Sequence, residues 1–449
     1  MIKAISCAPA GSLAEGRAPY LPGSGTGGSS SLAFKSLVFL IFVIYVGPQI
    51  LMPALEPLHL AMVSAVLAIV ASGKVLLSQG RSLIVLHREM KLIVWLVAMA
   101  ILSIPLSKWP GGSWESFSDL YSKSVIVFFL VAILLDSVKR FHQFFWAIAI
   151  FTAFNAVTGL NNYRTGNFLA YDRIFGGASG IASNPNSLAL VLNLAIPFVG
   201  HCYVTSKAIL GKMLAAGILA VSVAGIVVTN SRGGFLTLGA LLLWFVYVKA
   251  TRQGTGAFIR SLAMIIAVLV MLFAFGPEGY ADRILSAFDT SMDKTGSADT
   301  RWRLMIGAAQ SVMEHPLGNG LHMHNLVLQK NGLGWAGVHN VYLEYAADLG
   351  LIGGTLFVVI LWKLLASMRR IGSSPTDAGS PVFSLAGATE AALVAFAVGA
   401  FFHPVAYHFY FYIIAGIAVA VKEMARHEIE EHVMPSLRQR RGQARRLGP

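Results

Sequence analysis

Residues 335–344, Trp335-Ala-Gly-Val-His-Asn-Val-Tyr-Leu-Glu344, mark the point where a long polar segment meets an apolar one. The polar segment runs from about Gly276 to Asn340 and is the only long polar region between hydrophobic segments. The apolar run at 341–364 that follows has the length of a helix that crosses a bilayer. This junction predicts an extracytoplasmic loop that ends on a membrane helix, with His339 as the best single candidate for a catalytic group.

The composition of the whole chain indicates an integral membrane protein. Of its 449 residues, 56% are hydrophobic and only 12% are charged, and the mean hydropathy is +0.67. Cys7 lies in a polar leader and Cys202 at the end of an apolar segment. Two cysteines so placed indicate neither a disulfide framework nor a thiolate metal site.

Apolar runs of roughly 17–25 residues recur about twelve times, which predicts an all-α, polytopic fold with one long loop at 276–340. Residues 1–33, rich in Gly, Ser, Ala and Pro, are expected to form a disordered cytoplasmic leader, 34–424 the transmembrane domain and 425–449 a basic cytoplasmic tail. The predicted spans are 34–50, 57–73, 90–107, 121–137, 141–160, 186–204, 209–229, 233–249, 257–275, 341–364, 383–402 and 404–423.

The distribution of basic residues orients this bundle. Most of the 34 Lys and Arg residues fall in the leader, the tail and alternate loops, which places both termini in the cytoplasm by the positive-inside rule. The basic tail suits anionic lipid headgroups better than nucleic acid. Basic residues that remain on the opposite side call for an anionic partner; they are Lys108, Lys123, Arg164, Arg173, Arg232, Arg283, Lys294, Arg301, Arg303 and Lys330.

His339 and Asn340 precede a predicted helix, whose N-terminal dipole disfavours an imidazolium, so a neutral His339 could act as a base. Glu344 lies one turn into that helix and could orient the ring or accept its proton. Alternatively, the pair only caps the helix.

Arg232 occupies a tight turn between two apolar segments, next to Ser231 and two glycines. The glycines allow a close backbone approach, and Ser231 and Arg232 can point donors at one oxyanion. A plain hairpin turn is the alternative.

A third outer loop carries Arg173, followed by Asn184 and Asn186 at the next helix start. Either asparagine could cap that helix, whereas Arg173 beside them predicts an anion or sugar site.

The long loop itself should contain a helix from near Ser297 or Thr300 through Met313, and a short segment from Met323 to Gln329. Arg301 and Arg303 do not share a face of the longer helix, which favours Arg301 for the site.

These outer arginines suit a pyrophosphate, because guanidinium forks bind phosphate oxygens in pairs. A zinc site is the metal-dependent alternative, but the spacing of His315, His322, His324 and His339 matches no helical histidine pair. We therefore expect no metal and no cofactor.

Several short motifs, in their order and placement, resemble the bacterial O-antigen ligase and polymerase superfamily. They are the Ser231-Arg232-Gly233 turn, the passage from Arg301 to His315-Pro-Leu-Gly-x-Gly320, and His339-Asn340-x-Tyr342-Leu343 followed by Gly350-Leu-Ile-Gly353-Gly354. The resemblance extends from about residue 35 to 425. It implies a metal-independent, inverting glycosyltransferase of the inner membrane with a GT-C-like helical fold and a periplasmic active site.

For an O-antigen ligase, the resemblance implies transfer of a glycan from undecaprenyl pyrophosphate to a sugar of lipid A-core, which completes lipopolysaccharide. It matches His339 to the family's conserved histidine, and Arg173, Arg232 and Arg301 to its arginines, with Arg303 less distinctive. Tyr342 and Asn340 belong to the same motif as supporting residues. A polymerase or a protein O-oligosaccharyltransferase with the same donor is the alternative enzyme, and a lipid-linked glycan flippase is the non-enzyme alternative.

Overall fold

The computed structural model describes residues 27–78, 88–169, 173–174, 176–177, 180–275, 297–330, 332–334, 337–373 and 380–446. Long helices dominate it: α1 (Gly27–Val46), α3 (Leu60–Ser78), α4 (Arg88–Ser103), α6 (Ser122–Leu134), α7 (Val138–Arg164), α8 (Pro185–Thr205), α9 (Ile209–Val228), α10 (Arg232–Gln253), α11 (Thr255–Phe275), α12 (Ser297–Glu314), α14 (Val341–Gly372), α15 (Pro381–Gly399) and α16 (Phe409–Arg446). Shorter elements join them: α2 (Pro48–Leu51), α5 (Pro110–Ser116), α13 (His324–Lys330), 3₁₀ turns at Pro53–Leu58 and Gly180–Ala182, and a π turn at Phe117–Tyr121.

The prediction of an all-α, polytopic membrane protein is confirmed. Within the described residues, eight helical segments are long and apolar enough to cross a membrane, and each coincides with a predicted span. The other four predicted spans fall on α1, α4, α11 and α16.

The ends of the chain are more helical than the sequence suggests. Helix α1 begins at Gly27, inside the stretch predicted as a leader, and α16 continues through the basic tail to Arg446. Residues 1–26 of that leader and residues 276–296 of the long loop lie outside the described residues.

The loop helices form as predicted. Helix α12 spans Ser297–Glu314 and ends before Pro316, and α13 spans His324–Lys330. Leu304 and Ala308 of α12 form a small core with Leu328 of α13 and Val338, next to His339. This core fixes α12 against the N-terminal end of α14.

Helix α14 is broken at Gly350, where the backbone takes φ 74° and ψ 178°. The break exposes carbonyl groups to the loop. The backbone N–H groups of Asn319 and Gly320 donate to the carbonyls of Ala347 and Asp348, both at 3.0 Å, and Leu351 N donates to Pro316 O at 2.9 Å. The loop between α12 and α13 is therefore docked into the kink of a helix rather than standing free of the bundle.

A short hairpin places Arg173. Strands β1 (Phe168–Leu169) and β2 (Arg173–Ile174) pair antiparallel, with Leu169 opposite Arg173. Ile174 is fully buried, so the hairpin is anchored on the bundle next to the start of α8.

Candidate functional site

At one end of the bundle, the N-termini of α8, α10 and α14 meet the segment that connects α15 to α16. We call this end of the bundle the loop face. Each helix is capped by a side chain flagged by the sequence. Asn184 accepts from Ser187 N at 2.9 Å on α8, Ser231 from Gly234 N at 3.2 Å on α10, and Asn340 from Leu343 N at 3.1 Å on α14. The capping interpretation of Asn184 and Asn340 is thus correct, and Ser231 is a cap that the sequence did not predict. The caps leave the three helix N-termini directed at a shared region.

Asn186 ties this region together. Its Oδ1 accepts a hydrogen bond from the Arg173 guanidinium at 2.8 Å and one from the Ser231 hydroxyl at 2.9 Å. Its backbone carbonyl lies 3.1 Å from Nε2 of His403. One asparagine therefore joins β2, the start of α8, the start of α10 and the connection after α15.

The glycines after Arg232 permit this packing. A Cβ atom at Gly233 would lie 2.7 Å from Cβ of Phe402, and one at Gly234 would lie 2.5 Å from Cβ of Ala189. The start of α10, with half-buried Arg232 as its first residue, is consequently held close to α8 and to the α15–α16 connection. This is the close backbone approach that the sequence predicted.

His339 lies against the same connection. Val341 N, two residues later, donates to Ala400 O at 2.8 Å, and the His339 ring is hydrogen-bonded to the backbone of Phe402. Nδ1 of His339 is buried and has no hydrogen-bond partner among the described residues.

The electrostatic surroundings keep this imidazole neutral. Burial, then the positive charge of Arg301, and then His403 and Arg173 lower the pKa of His339 to about 3, against a smaller opposing effect of the bond to Phe402. Two of the arginines predicted from the sequence therefore lie close enough to act on His339. The result is a neutral base beside two guanidinium groups.

His403 is a residue of this site that the sequence analysis did not select. It is fully buried, with Nδ1 2.8 Å from Gly399 O and Nε2 3.1 Å from Asn186 O. Burial and the charge of Arg301 lower its pKa to about 4, although both carbonyls favour the protonated ring. The only signal in the sequence is a histidine at the outer end of a predicted span.

Arg301 and Arg303 separate as their spacing predicts. Arg301 is half-buried and acts on both histidines, whereas Arg303 is exposed and pairs with Asp299 at 2.8 Å. The structure thus brings Arg173 and Arg301 to His339 and leaves Arg303 outside the site.

Glu344 and Tyr342 have structural contacts. The Glu344 carboxylate accepts from Ala406 N at 3.1 Å and lies 3.8 Å from Nε2 of His324, so it faces away from the orienting position expected beside His339. One turn of helix brings it over the α15–α16 connection instead. The Tyr342 hydroxyl donates to Ala397 O at 2.7 Å and fastens α14 to α15.

A second group of buried polar side chains contains His324, Asp348 and Tyr407, apart from the group around His339 and His403. Nδ1 of His324 is 3.0 Å from Asp348 Oδ1, and the Tyr407 hydroxyl donates to Asp348 Oδ2 at 3.0 Å. Burial opposes charge on His324, but the adjacent Asp348 carboxylate outweighs it, and the pKa of His324 is raised. This pair links the loop to α14 and was not identified from the sequence.

Within the described residues, no group of three or more His, Cys, Asp or Glu side chains is placed to hold a metal ion. Of the histidines considered for zinc, His339 lies in the first of these groups, His322 and His324 lie in the second, and half-buried His315 lies in neither.

The arrangement can bind an anion and accept a proton. Arg173, Arg301 and the helix N-termini supply positive potential, and the neutral His339 ring, whose Nδ1 has no partner among the described residues, can accept a proton. These are the elements of a reaction in which a hydroxyl attacks a carbon that carries an anionic leaving group.

Comparison with known proteins agrees with this chemistry. No curated protein sequence matches the chain. A family model described as O-Antigen ligase matches residues 217–358, about a third of the chain, and takes in Ser231, Arg232, Arg301 and His339. Arg173, Asn186 and His403 lie beyond the match. Residues 217–358 are thus similar to the O-antigen ligase family, which confirms the resemblance to the O-antigen ligase and polymerase superfamily over that segment.

Proposed function

We propose that the protein is an O-antigen ligase, which transfers a glycan from undecaprenyl pyrophosphate to a sugar hydroxyl of lipid A-core on the periplasmic side of the inner membrane. The observation that carries the proposal is the convergence of Arg173 and Arg301 on a neutral His339 whose Nδ1 has no hydrogen-bond partner in the described part of the chain. The O-antigen ligase match supports it, since Ser231, Arg232, Arg301 and His339 lie in the matched segment.

In the proposed reaction, the acceptor hydroxyl oxygen forms a bond to the anomeric carbon on the face opposite the pyrophosphate. The bond from that carbon to the pyrophosphate oxygen breaks, and its electron pair leaves with the pyrophosphate. The hydroxyl proton passes to Nδ1 of His339. A single displacement of this kind inverts the anomeric configuration.

The arginines stabilise charge on the departing pyrophosphate. In a buried site, each well-placed donor of this kind contributes roughly 2–4 kcal/mol to the transition state. Arg173 is held for this task by Asn186, and Arg232 enters from the capped N-terminus of α10. The bound pyrophosphate also offsets the arginine charges, which raises the pKa of His339 from about 3 and makes it a more effective base.

The test is a reaction of the reconstituted full-length protein with defined lipid-linked glycan and lipid A-core, with and without EDTA. Product on lipid A-core that persists in EDTA supports a metal-independent ligase. Elongated lipid-linked glycan alone would assign the polymerase, and glycan moved across the bilayer without transfer would assign a flippase.

His339→Ala should abolish transfer in a protein that still folds and inserts. His315→Ala, a half-buried histidine of the same loop, is the matched control and should retain activity. Normal transfer by His339→Ala would overturn the assignment of the base.

A further inference from the structure

Helix α12 (Ser297–Glu314) has three faces of different composition. At 100° per residue, the face that contains Arg301 also contains buried Leu304 and Ala308 and packs on the protein. A second sector of about 60° contains exposed apolar side chains; it consists of Trp302, Ile306, Ala309 and Met313. A third face is exposed and polar, with Asp299, Arg303, Gln310 and Glu314.

The apolar sector is too exposed for a helix in water. Trp302 is 60% exposed, Met313 82% and nearby Leu317 84%. A contiguous apolar stripe flanked by charged residues is typical of a helix that lies in the plane of a membrane surface. The bilayer beside this loop offers such a surface.

The position of the kink in α14 relates α12 to the bilayer. Helix α14 has 32 residues, which at about 1.5 Å per residue exceeds the roughly 30 Å of hydrocarbon. About 20 residues suffice, and these extend from Leu351, just after the kink, to exposed Arg369 and Arg370. The kink at Gly350 therefore lies at the outer edge of the hydrocarbon.

Helix α4 places the edge at the same level. At its outer end, the Ser103 hydroxyl accepts a hydrogen bond from Leu321 N at 3.2 Å. Just beyond it, Lys108 N donates to Asn319 O at 3.0 Å. Trp109 and Trp114, just beyond, are about half exposed, as aromatic side chains at a membrane interface are. Two unrelated helices thus locate the interface at the loop docked into α14.

The apolar sector of α12 is continuous with the lipid-facing surface of α14. Leu317, which follows α12, packs its backbone on Gly350, and the next residues of α14, Leu351 and Ile352, are exposed apolar side chains. The stripe therefore passes from α12 onto a helix whose exposed face must contact lipid.

We infer that α12 is an interfacial helix whose Trp302–Ile306–Met313 sector lies in the lipid surface at the loop face, while its protein-facing side presents Arg301 to His339. Lipid contact thereby sets the position of an arginine of the anion site. The inference concerns lipid contact alone and does not depend on the reaction assigned to the site.

The test uses nitroxide labels on the full-length protein in nanodiscs of phosphatidylethanolamine and phosphatidylglycerol, with Cys7 and Cys202 replaced by serine. Met313→Cys reports the apolar sector, and Gln310→Cys, also exposed but on the polar face, is the matched control. The ratio of collisions with oxygen to collisions with a water-soluble nickel chelate should be several-fold higher at 313 than at 310.

Equal ratios at the two positions would overturn the inference, because both faces would then be in water. Protection of position 313 from both reagents would also overturn it, because a second protein would then cover the sector. A second readout needs no cysteine substitution. The fluorescence of Trp302 is obtained by subtracting the emission of Trp302→Phe from that of wild type, and brominated lipids should quench it. If brominated lipids leave this emission unchanged, the result counts against lipid contact.

Discussion

Replacing Arg301 by glutamine tests the candidate site most directly, because Arg303, two residues along the same helix, provides a matched control. Arg301 is half-buried and its charge acts on His339 and His403, whereas Arg303 is exposed in a pair with Asp299. Loss of a preorganised donor costs about 2.7–4 kcal/mol, or roughly 10²–10³-fold in transfer. Loss of an exposed ion pair costs about 0–1 kcal/mol, so Arg303→Gln should remain within a few-fold of wild type.

The same substitution has a pH signature. The positive charge of Arg301 disfavours protonation of His339, so its removal raises the pKa of His339 from about 3 toward its ordinary value. The acid limb of kcat/KM should therefore move to higher pH in Arg301→Gln and stay in place in Arg303→Gln. Transfer by proteoliposomes across a pH series measures both effects. Equal loss in the two variants, or an acid limb that does not move, would refute the reasoning.

Three further predictions concern the supports of the site. Gly350→Ala should strongly destabilise the protein, since φ is 74° and the added Cβ would lie 2.5 Å from Pro316 O. Gly387→Ala is the control, in a helix where the added Cβ would meet nothing within 4 Å, and it should be neutral or stabilising in thermal melts. Equal melting temperatures of the two variants would contradict this prediction. Asn186→Ala should reduce transfer by releasing Arg173 and Ser231, whereas Asn184→Ala should lower stability by about 1 kcal/mol through loss of a helix cap and keep its activity; the reverse pattern would argue against a positioning role for Asn186. The melting temperature should fall as pH drops from about 6.5 toward 4, because His339 and His403 are held neutral in the folded protein while the unfolded chain binds protons; a flat profile would show that neither ring is protected.

Much of the fold follows from local sequence. Apolar runs of membrane length predicted the long helices apart from α12, whose end was predicted by Pro316 with Gly318. Asn184, Ser231 and Asn340 are caps because a short polar side chain before an apolar run satisfies free backbone N–H groups. Helical periodicity also predicted that Arg301 and Arg303 lie on different faces of α12.

Within the site, the sequence could not predict the roles of residues whose contacts are with segments far along the chain. His403 is a site residue because its ring meets the carbonyl of Asn186, 217 positions away. Glu344 lies one turn from Asn340, yet its oxygen is used by Ala406, 62 positions away, rather than by His339. Position along a helix fixes the direction of a side chain, but not the element packed opposite it.

The sequence by itself determined that this is a helical membrane protein, and it predicted an anion-binding site around a histidine at the junction of the long loop. Hydrophobic length and helix capping are local properties, so they can be read along the chain. Only the tertiary structure decided which arginines act on the pKa of His339, which of its nitrogens lacks a partner among the described residues, and which face of α12 packs on the protein. These depend on packing between distant segments, where burial and neighbouring charge set the protonation of a ring.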